Sequence, residues 1–367
     1  MNDFYLLIAA LPALTCLWWA VTMAVDFIFC RKRMKTALPF FIFVVVSSFL
    51  YITHFIHFSF PGTRLAVLSD SVWIFCTLSV YPLFGIWVHR LTVPQKHRSL
   101  KGLYDYRILF AISLAMSALS AGFSHFGLDT ALLMLAVKGL FAVEVILTIV
   151  IGSRDLRTFR REVANYYSDT YDKELRPVGI LLILLLVVSG CSLVFSTIGR
   201  DVFLGKNLLI IPSLIFSVLL YSVCYIGNQP VFDITEFEAE LKPEEAAPAA
   251  KPHGLSQDQL RERIRRAMEE EKIYRMHGLK VDDLAAKVGS NRTYVSNCIN
   301  RAFGVSFSDY IASYRVEEAK ERLAAAPKGT NMEKIGWESG FSTRSQFYRS
   351  FKKETGVSPG QWLDKTS

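Results

Sequence analysis

The chain has 367 residues, of which 51% are hydrophobic and 20% charged, and its formal net charge is +8. The mean hydropathy is +0.29. A soluble domain usually lies below zero, so this composition excludes a wholly soluble protein and indicates a membrane protein with one soluble domain. The six cysteines contain no C-x-x-C pair and most lie in apolar runs, which favours small buried side chains over a disulfide or metal framework.

Seven apolar runs occupy the first 227 residues. In chain order they are Phe4–Phe29, Leu38–Phe60, Ser71–Leu91, Ile108–Phe126, Thr130–Ile151, Val178–Ile198 and Leu208–Gly227. Each approaches the ~20 residues that a helix needs to cross ~30 Å of hydrocarbon. The first run lacks a basic lead-in and is followed by a basic cluster, so it is interpreted as a retained span and not as a signal peptide.

Basic residues are concentrated after the first, third and fifth runs. They are Arg31, Lys32, Arg33 and Lys35, then Lys96, Arg98, Lys101 and Arg107, then Arg154, Arg157, Arg160, Arg161, Lys173 and Arg176. The alternate loops hold only Arg64, Arg200 and Lys206. Because cytoplasmic loops carry the excess of Lys and Arg, we expect the N-terminus outside the membrane and the C-terminus in the cytoplasm.

Ionisable side chains within the spans are candidate sensor residues. Lys138 and Glu144 lie near the middle of the fifth run, where a charge is costly and must face a partner or a cavity. They are interpreted either as a buried switch or ligand contact, or as a structural pairing between helices. His54, His57 and His125 lie near outer ends of the second and fourth runs. A metal or proton sensor and interfacial histidines without a ligand are the two interpretations, and no metal site is predicted.

The loop after the fifth run, SRDLRTFRREVANYYSDTYDKELRP, has apolar residues at helical spacing opposite an arginine-rich face. The apolar residues are Leu156, Phe159, Val163, Tyr166 and Tyr167. This pattern predicts a helix that lies along the inner membrane surface, held by anionic headgroups.

Residues 228–254 are predicted to be a flexible, acidic and proline-rich linker. The prolines are Pro230, Pro243, Pro248 and Pro252, and the acidic residues include Glu236, Glu238, Glu240, Glu244 and Glu245. A coil of this length reaches about 30 Å. The acidic segment is either a solvated spacer or a weak competitor with DNA for a basic surface.

Residues 255–367 are predicted to contain two helix-turn-helix units. The first covers about 282–304, with its turn at Gly289, and Ser306 caps a joining helix over about 306–325. The inward apolar residues of this first unit are Leu284, Val288, Val295, Ile299 and Phe303.

The second unit covers about 331–356. Thr330 with Glu333 forms a capping-box pattern, Gly340 supplies the turn, and Ser342 is placed to cap the second helix. Phe347 and Phe351 lie four residues apart and face inward. A small closing helix is predicted to start at Ser358.

The sequence patterns I-G-W-E-S-G-F, S-x-F-x-R-x-F-K-K-x-x-G and S-P-x-Q-W resemble the C-terminal signature of the AraC/XylS family of bacterial transcription regulators. The resemblance extends back to about Leu255 and covers roughly the last third of the chain. It implies two reading helices that enter successive major-groove segments of DNA. The family usually has alanine where this chain has Gly336. Many members sense small molecules through a soluble barrel domain, in place of which this chain has the apolar runs.

The resemblance also implies the DNA-contacting residues. The expected base-facing residues are Thr293, Ser296, Asn297, Arg344, Ser345, Gln346, Tyr348 and Arg349, and the candidate phosphate contacts are Arg292, Arg301, Lys352 and Lys353. Arginine bonds guanine through two hydrogen bonds, whereas asparagine and glutamine suit adenine. Because the first unit offers mainly short side chains, sequence discrimination is expected mainly from the second.

The expected fold is all-α, a seven-span transmembrane helical bundle followed by a cytoplasmic tandem helix-turn-helix domain. The expected function is a membrane-anchored one-component transcription regulator, with double-stranded DNA, the lipid bilayer, a stimulus and a second copy of the chain as partners and without a cofactor. Control is expected through ligand-dependent pairing or repositioning, or through cleavage in the linker. The alternative is a transporter or channel that carries a regulatory DNA-binding domain. An enzyme is disfavoured because the soluble third has no phosphate loop, nucleophile elbow or metal-ligand spacing.

Overall fold

The computed structural model describes residues 3–29, 31–60, 63–94, 106–198, 210–229, 232, 234–241, 256–325, 327 and 330–366. These residues form fifteen α-helices and one 3-10 helix, and no strand occurs among them. The expected all-α class is therefore confirmed. The chain divides into two compact units, one of Met1–Arg157 with Leu175–Thr235 and the other of Thr158–Glu174 with Glu236–Ser367.

The first unit contains seven long helices. They are α1 (Asp3–Phe29), α2 (Arg31–Ser59), α3 (Arg64–Thr92), α4 (Tyr106–His125), α5 (Ala131–Tyr166), α6 (Arg176–Ile198) and α7 (Ile210–Gly227). All seven are long and apolar enough to cross a membrane, which confirms the expected number and order of apolar helices. Several of the basic residues behind the expected orientation lie in 95–105 and 199–209, outside the described residues.

Within this unit, α2 packs against α1 and α3, α3 packs against α4, and α7 packs against α1 and α6. An aromatic cluster joins α2 to α3, with ring centroids of Phe40 and Trp87 4.6 Å apart and those of Phe43 and Phe84 5.6 Å apart. Large apolar side chains elsewhere on these helices, such as Leu132, are exposed. Exposed apolar faces on long apolar helices are suited to lipid contact.

Helix α5 is longer than the apolar run predicts. It has 36 residues and ends at Tyr166, so the predicted separate helix at the membrane surface is the C-terminal part of α5. The boundary between the two units falls inside this helix, between Arg157 and Thr158. The expected domain boundary at residue 227 therefore differs from the observed division, because residues 158–174 belong to the C-terminal unit.

The predicted linker is also not coil throughout, because Ile234–Leu241 forms a helix, α8. Its Phe237 is buried. The Phe237 ring lies 6.3 Å from that of Phe159, 5.6 Å from Tyr166 and 5.9 Å from Tyr167. Phe159, Tyr166 and Tyr167 therefore pack against Phe237 of α8, and the expectation that they lie on the membrane surface is wrong for these three residues. Residues 242–254 of the predicted linker lie outside the described residues.

The remainder of the C-terminal unit consists of seven short helices. They are α9 (Gln257–Glu269), α10 (Val281–Val288), α11 (Arg292–Phe303), α12 (Phe307–Ala325), α13 (Met332–Glu338), α14 (Arg344–Thr355) and α15 (Pro359–Thr366). Local sequence explains several ends: Ser256 and Gln259 form a reciprocal capping box at α9, and Gly289 ends α10 with φ of 68°. Ser306 Oγ accepts the Asp309 N–H at 3.2 Å, as expected at the start of the joining helix.

Two caps in the second helix-turn-helix unit lie one residue later than expected. Asn331, not Thr330, caps α13, and its side chain accepts the Glu333 N–H. Thr343, not Ser342, caps α14 by accepting the Gln346 N–H. Both expectations are wrong for the same reason. Each pattern offers two adjacent capping side chains, and the expected one bonds elsewhere: Thr330 Oγ1 donates to the Pro327 carbonyl oxygen, and Ser342 Oγ donates to Asp169.

Candidate nucleic-acid interface

Helices α11 and α14 are the second helices of the two helix-turn-helix units. Gly340, at φ of 96°, makes the turn before α14, and an added Cβ there would lie 2.6 Å from the Tyr274 carbonyl oxygen. The joining helix α12 packs against both α11 and α14. Its Ala319 and Leu323 share one buried core with Phe347 and Phe351 of α14. A single rigid helix therefore fixes how the two candidate reading helices are arranged.

The outer face of α11 carries small polar side chains. Thr293 and Asn297 are exposed, while Ser296 is half-buried and its Oγ accepts a hydrogen bond from Asn300 Nδ2 at 3.3 Å. Arg292, at the start of the helix, donates to the carbonyl oxygen of Leu241 at 3.1 Å. The first unit thus presents two of its expected base-facing residues freely to solvent.

The outer face of α14 carries longer side chains. Arg344, Ser345 and Arg349 are exposed, and Tyr348 is half-buried with the Arg344 guanidinium 5.2 Å from its ring centroid. Arg344 pairs with Glu333 at 2.7 Å. These side chains are the hydrogen-bond donors that suit base edges and phosphates.

Gln346 does not share that face. Its side chain is 5% exposed, and its Oε1 has no hydrogen-bond partner among the described residues. It precedes Phe347 on the inward side of α14, so the expectation that Gln346 faces bases is contradicted by its burial. Its backbone N–H bonds the capping Thr343 Oγ1 at 3.2 Å, which fixes this turn.

The three remaining candidate phosphate contacts, Arg301, Lys352 and Lys353, are all exposed. Lys353 pairs with Asp309 of α12 at 2.6 Å, although 59% of its side chain remains exposed. Exposed ion pairs of this kind contribute little to stability, so these cations remain available to a polyanion.

A buried carboxylate fastens α12 to the segment before α10. Glu318 accepts hydrogen bonds from the Tyr274 hydroxyl and Arg322 Nε, both at 2.9 Å, and also pairs with Arg275 and Lys272. Burial alone would raise the pKa of Glu318, but the hydrogen bonds from Tyr274, Arg322 and Arg275 lower it to about 2. This cluster stabilises the joining helix that positions both candidate reading helices.

A second buried charged residue, Arg315, was not predicted from the sequence. Its side chain is 1% exposed and pairs with Asp169 at 3.0 Å. The signal was present, because Arg315 falls at the fourth-residue spacing of the buried positions Ile311, Ala319 and Leu323. A charged residue at such a position requires a buried partner. The sequence gives no indication that this partner is Asp169, which is 146 residues away.

The sensor candidates of α5 lie in the first unit. Glu144 is 4% exposed, and its Oε2 has no hydrogen-bond partner among the described residues. With Thr148 and Asp155 it lines a cavity of about 20 Å³, enough space for one water molecule. Lys138 is half-buried on the same helix.

The histidine candidates fall into two groups. His54 Nε2 accepts the Trp73 Nε1–H at 3.0 Å, and His57 Nδ1 lies 3.0 Å from Asp70 Oδ1, so both fasten α2 to α3. His125 is exposed on α4 and packs edge-on against Phe126. No group of three His, Cys, Asp or Glu side chains able to hold a metal ion occurs in the described part of the chain.

Comparison with known proteins identifies the C-terminal region that contains both helix-turn-helix units. A family model described as a helix-turn-helix domain matches residues 284–365. The chain is also 33% identical over 84 residues to the uncharacterized HTH-type transcriptional regulator YtdP of Bacillus subtilis (strain 168). That match covers 23% of this chain and only 11% of the relative. No solved structure matches the chain. Residues 284–365 are therefore a helix-turn-helix domain of the AraC type, at the C-terminal end of a chain with seven long apolar helices.

Proposed function

We propose that this chain is a membrane-anchored transcription regulator whose two reading helices bind successive major-groove segments of DNA. The observation that carries the proposal is the tandem arrangement of α11 and α14 on the single joining helix α12, which packs against both. A major groove accepts one helix, and its pattern of donors and acceptors distinguishes all four base pairs. The DNA-binding part rests on the domain match at residues 284–365.

The membrane anchor is the seven-helix unit, whose helices have the length and composition of membrane spans. The basic residues after the first, third and fifth spans support an orientation with the N-terminus outside the inner membrane and the DNA-binding domain in the cytoplasm. This orientation is the one in which the domain meets the chromosome.

The bundle is also the proposed sensor, and Glu144 is the residue that best supports this role. A buried carboxylate within an apolar helix is costly, so a specific contact is expected to offset this cost. The adjoining cavity of about 20 Å³ has space for one water molecule beside this carboxylate. The stimulus changes the pairing of two copies or the position of the DNA-binding domain.

Three experiments test the proposal. A reporter fused after Ser367 should be active only in the cytoplasm, and activity only in the periplasm would contradict the orientation. The full chain in lipid nanodiscs should select a duplex from a random-sequence pool at modest salt, and failure to enrich any duplex would contradict the function. The chain should also stay intact while its target genes respond, because a released fragment would indicate control by cleavage of the linker.

A further inference from the structure

The segment Thr158–Glu174, here named the docking segment, is built into the same compact unit as the helix-turn-helix pair. Its backbone takes part directly, because the Ser168 N–H donates to the Leu279 carbonyl oxygen at 2.9 Å. The Ser308 hydroxyl at the start of α12 donates to the Ser168 carbonyl oxygen, also at 2.9 Å. Because both the N–H and the carbonyl oxygen of Ser168 are hydrogen-bonded in this way, the register of the segment on this surface is fixed.

Asp169 is the main side-chain contact of the docking segment. Its Oδ1 accepts a hydrogen bond from Arg315 at 3.0 Å, and its Oδ2 accepts from the Ser342 hydroxyl at 2.7 Å and from the Gly278 N–H at 3.1 Å. One carboxylate therefore joins α12 to the turn of the second helix-turn-helix unit. Because Arg315 is almost fully buried, removing the carboxylate would leave an unpaired buried charge, so this surface is specific for an acidic group.

The end of the docking segment reaches a candidate DNA contact. Glu174 Oε2 pairs with Arg349 Nη1 at 2.7 Å, and the Glu174 side chain is 14% exposed. Glu174 is held in place, because its Oε1 accepts from the Thr170 hydroxyl at 2.9 Å and its carbonyl oxygen accepts from Arg160 at 2.6 Å. Arg349 can bond either this carboxylate or DNA with the same guanidinium N–H groups.

The first helix-turn-helix unit has a parallel contact. The carbonyl oxygen at the end of α8 accepts from Arg292 at 3.1 Å, and Glu240 pairs with Lys280 at 2.8 Å. Each candidate reading helix thus has one arginine bonded to a segment outside the helix-turn-helix pair. The two contacts lie 57 residues apart on the reading helices, at Arg292 and Arg349, so they are independent observations.

The contact surface is not packed like a protein core. A cavity of about 370 Å³ lies between the docking segment and the helix-turn-helix pair, and Tyr167, Asp169, Lys280 and Thr343 are among its lining residues. The contacts across this surface are hydrogen bonds and ion pairs beside an open cavity, and water can replace such partners when the segment separates. This property suits a contact that forms and breaks.

We infer that the helix-turn-helix pair carries a docking surface for residues 158–174 of its own chain, and that the docking segment and DNA compete for Arg349. The inference rests on the proposed DNA-binding function and adds its regulation. By linkage, the factor by which docking weakens DNA binding equals the factor by which DNA weakens docking. A stimulus that shifts the docking segment would therefore change the affinity for DNA.

The test compares wild type, Glu174→Gln and Glu317→Gln in the full chain in nanodiscs. Glu317 is an exposed residue of α12 whose replacement makes the same change in net charge. Each chain is titrated with a duplex selected from a random pool, at several salt concentrations. We expect Glu174→Gln to tighten binding roughly fivefold, because Arg349 is released, and Glu317→Gln to stay within about twofold of wild type.

Hydrogen exchange supplies a second measurement that needs no variant. The Ser168 amide should be protected in the free chain and should lose protection when the selected duplex saturates it. Equal affinities of Glu174→Gln and Glu317→Gln, or full Ser168 protection on DNA, would overturn the inference and leave the proposed function standing. If neither wild type nor Glu174→Gln selects any duplex, the proposed function itself fails.

Discussion

Gly336 shows how one residue departs from the family pattern for a local reason. It lies inside α13, and an added Cβ would come within 2.7 Å of Cγ and Cδ1 of Phe347. Phe347 is fully buried in the core shared by α12 and α14, so its ring has little room to shift. The close approach of α13 to this ring thus accounts for glycine where alanine is usual.

We expect Gly336→Ala to destabilise the C-terminal unit by about 1–3 kcal/mol through overpacking, even though alanine is the better helix former. Gly360→Ala is the matched control, because Gly360 lies in α15 and an added Cβ meets nothing within 4 Å. The free energy of opening is measured by hydrogen exchange of α14 amides in the full chain. Equal effects of the two substitutions would contradict the packing argument.

The buried Glu318 gives the C-terminal unit a defined response to acid. Because the folded pKa of about 2 lies below the ordinary value of 4.5, the carboxylate stabilises the folded unit at neutral pH. That contribution is lost as the pH falls from about 4.5 toward 2. We expect Glu318→Gln to lower stability at pH 7 by about 2 kcal/mol and to flatten the acid dependence in this window.

The measurement is the urea midpoint of the C-terminal unit as a function of pH, followed by fluorine NMR of labelled Trp337 and Trp362. Glu317→Gln, at the neighbouring exposed position, should leave the acid dependence as in wild type. An unchanged pH profile in Glu318→Gln would show that other carboxylates determine the acid response.

Substitutions of Arg344 and Lys352 are expected to affect DNA binding differently: the first should change sequence discrimination, and the second should change the electrostatic attraction to DNA. Both are exposed on α14. We expect Arg344→Ala to lose about 1–3 kcal/mol of discrimination between the selected duplex and a scrambled one, because arginine can bond guanine with two hydrogen bonds. Lys352→Ala should weaken both duplexes alike and reduce the salt dependence by about one phosphate contact. If Arg344→Ala lost the same affinity for both duplexes, Arg344 would contact the phosphate backbone of the DNA and not its bases.

Among the secondary-structure elements, those that depend on local sequence patterns were predicted correctly from apolar runs and residue spacing. The seven apolar helices, the two helix-turn-helix units and the joining helix follow from hydropathy, glycine turns and four-residue periodicity. The cap positions were off by one residue because Asn331 and Thr343 offer the same chemistry as their neighbours. These differences are local choices that sequence patterns leave open.

Elements that depend on distant contacts were not predictable in the same way. The apolar face around Phe159 indicates an amphipathic helix, but a membrane surface and a protein partner would select the same pattern. The short helix α8 was not predicted, because it lies in an acidic, proline-rich segment. The burial of Phe237 against aromatic side chains explains it. Likewise, Gln346 follows the family's outward pattern in sequence but is buried in the structure.

At the scale of the whole molecule, a single helix links the two proposed activities. Helix α5 runs from Ala131 to Tyr166 and contains both the buried Glu144 and the start of the docking segment. The chain thus passes from the first unit into the second within one helix of 36 residues. Under the proposed function, a signal could reach the docking segment along this helix without passing through residues 242–254 of the linker.

We propose that the DNA-binding domain acts on chromosomal sites while it remains attached to the membrane. The proposal is tested by crosslinking the intact chain in living cells, recovering the membrane fraction and sequencing the bound DNA. We expect a small set of enriched sites that share one sequence pattern and are lost in Arg344→Ala. Recovery of DNA without a shared pattern, or of the same sites from a soluble fragment alone, would contradict it.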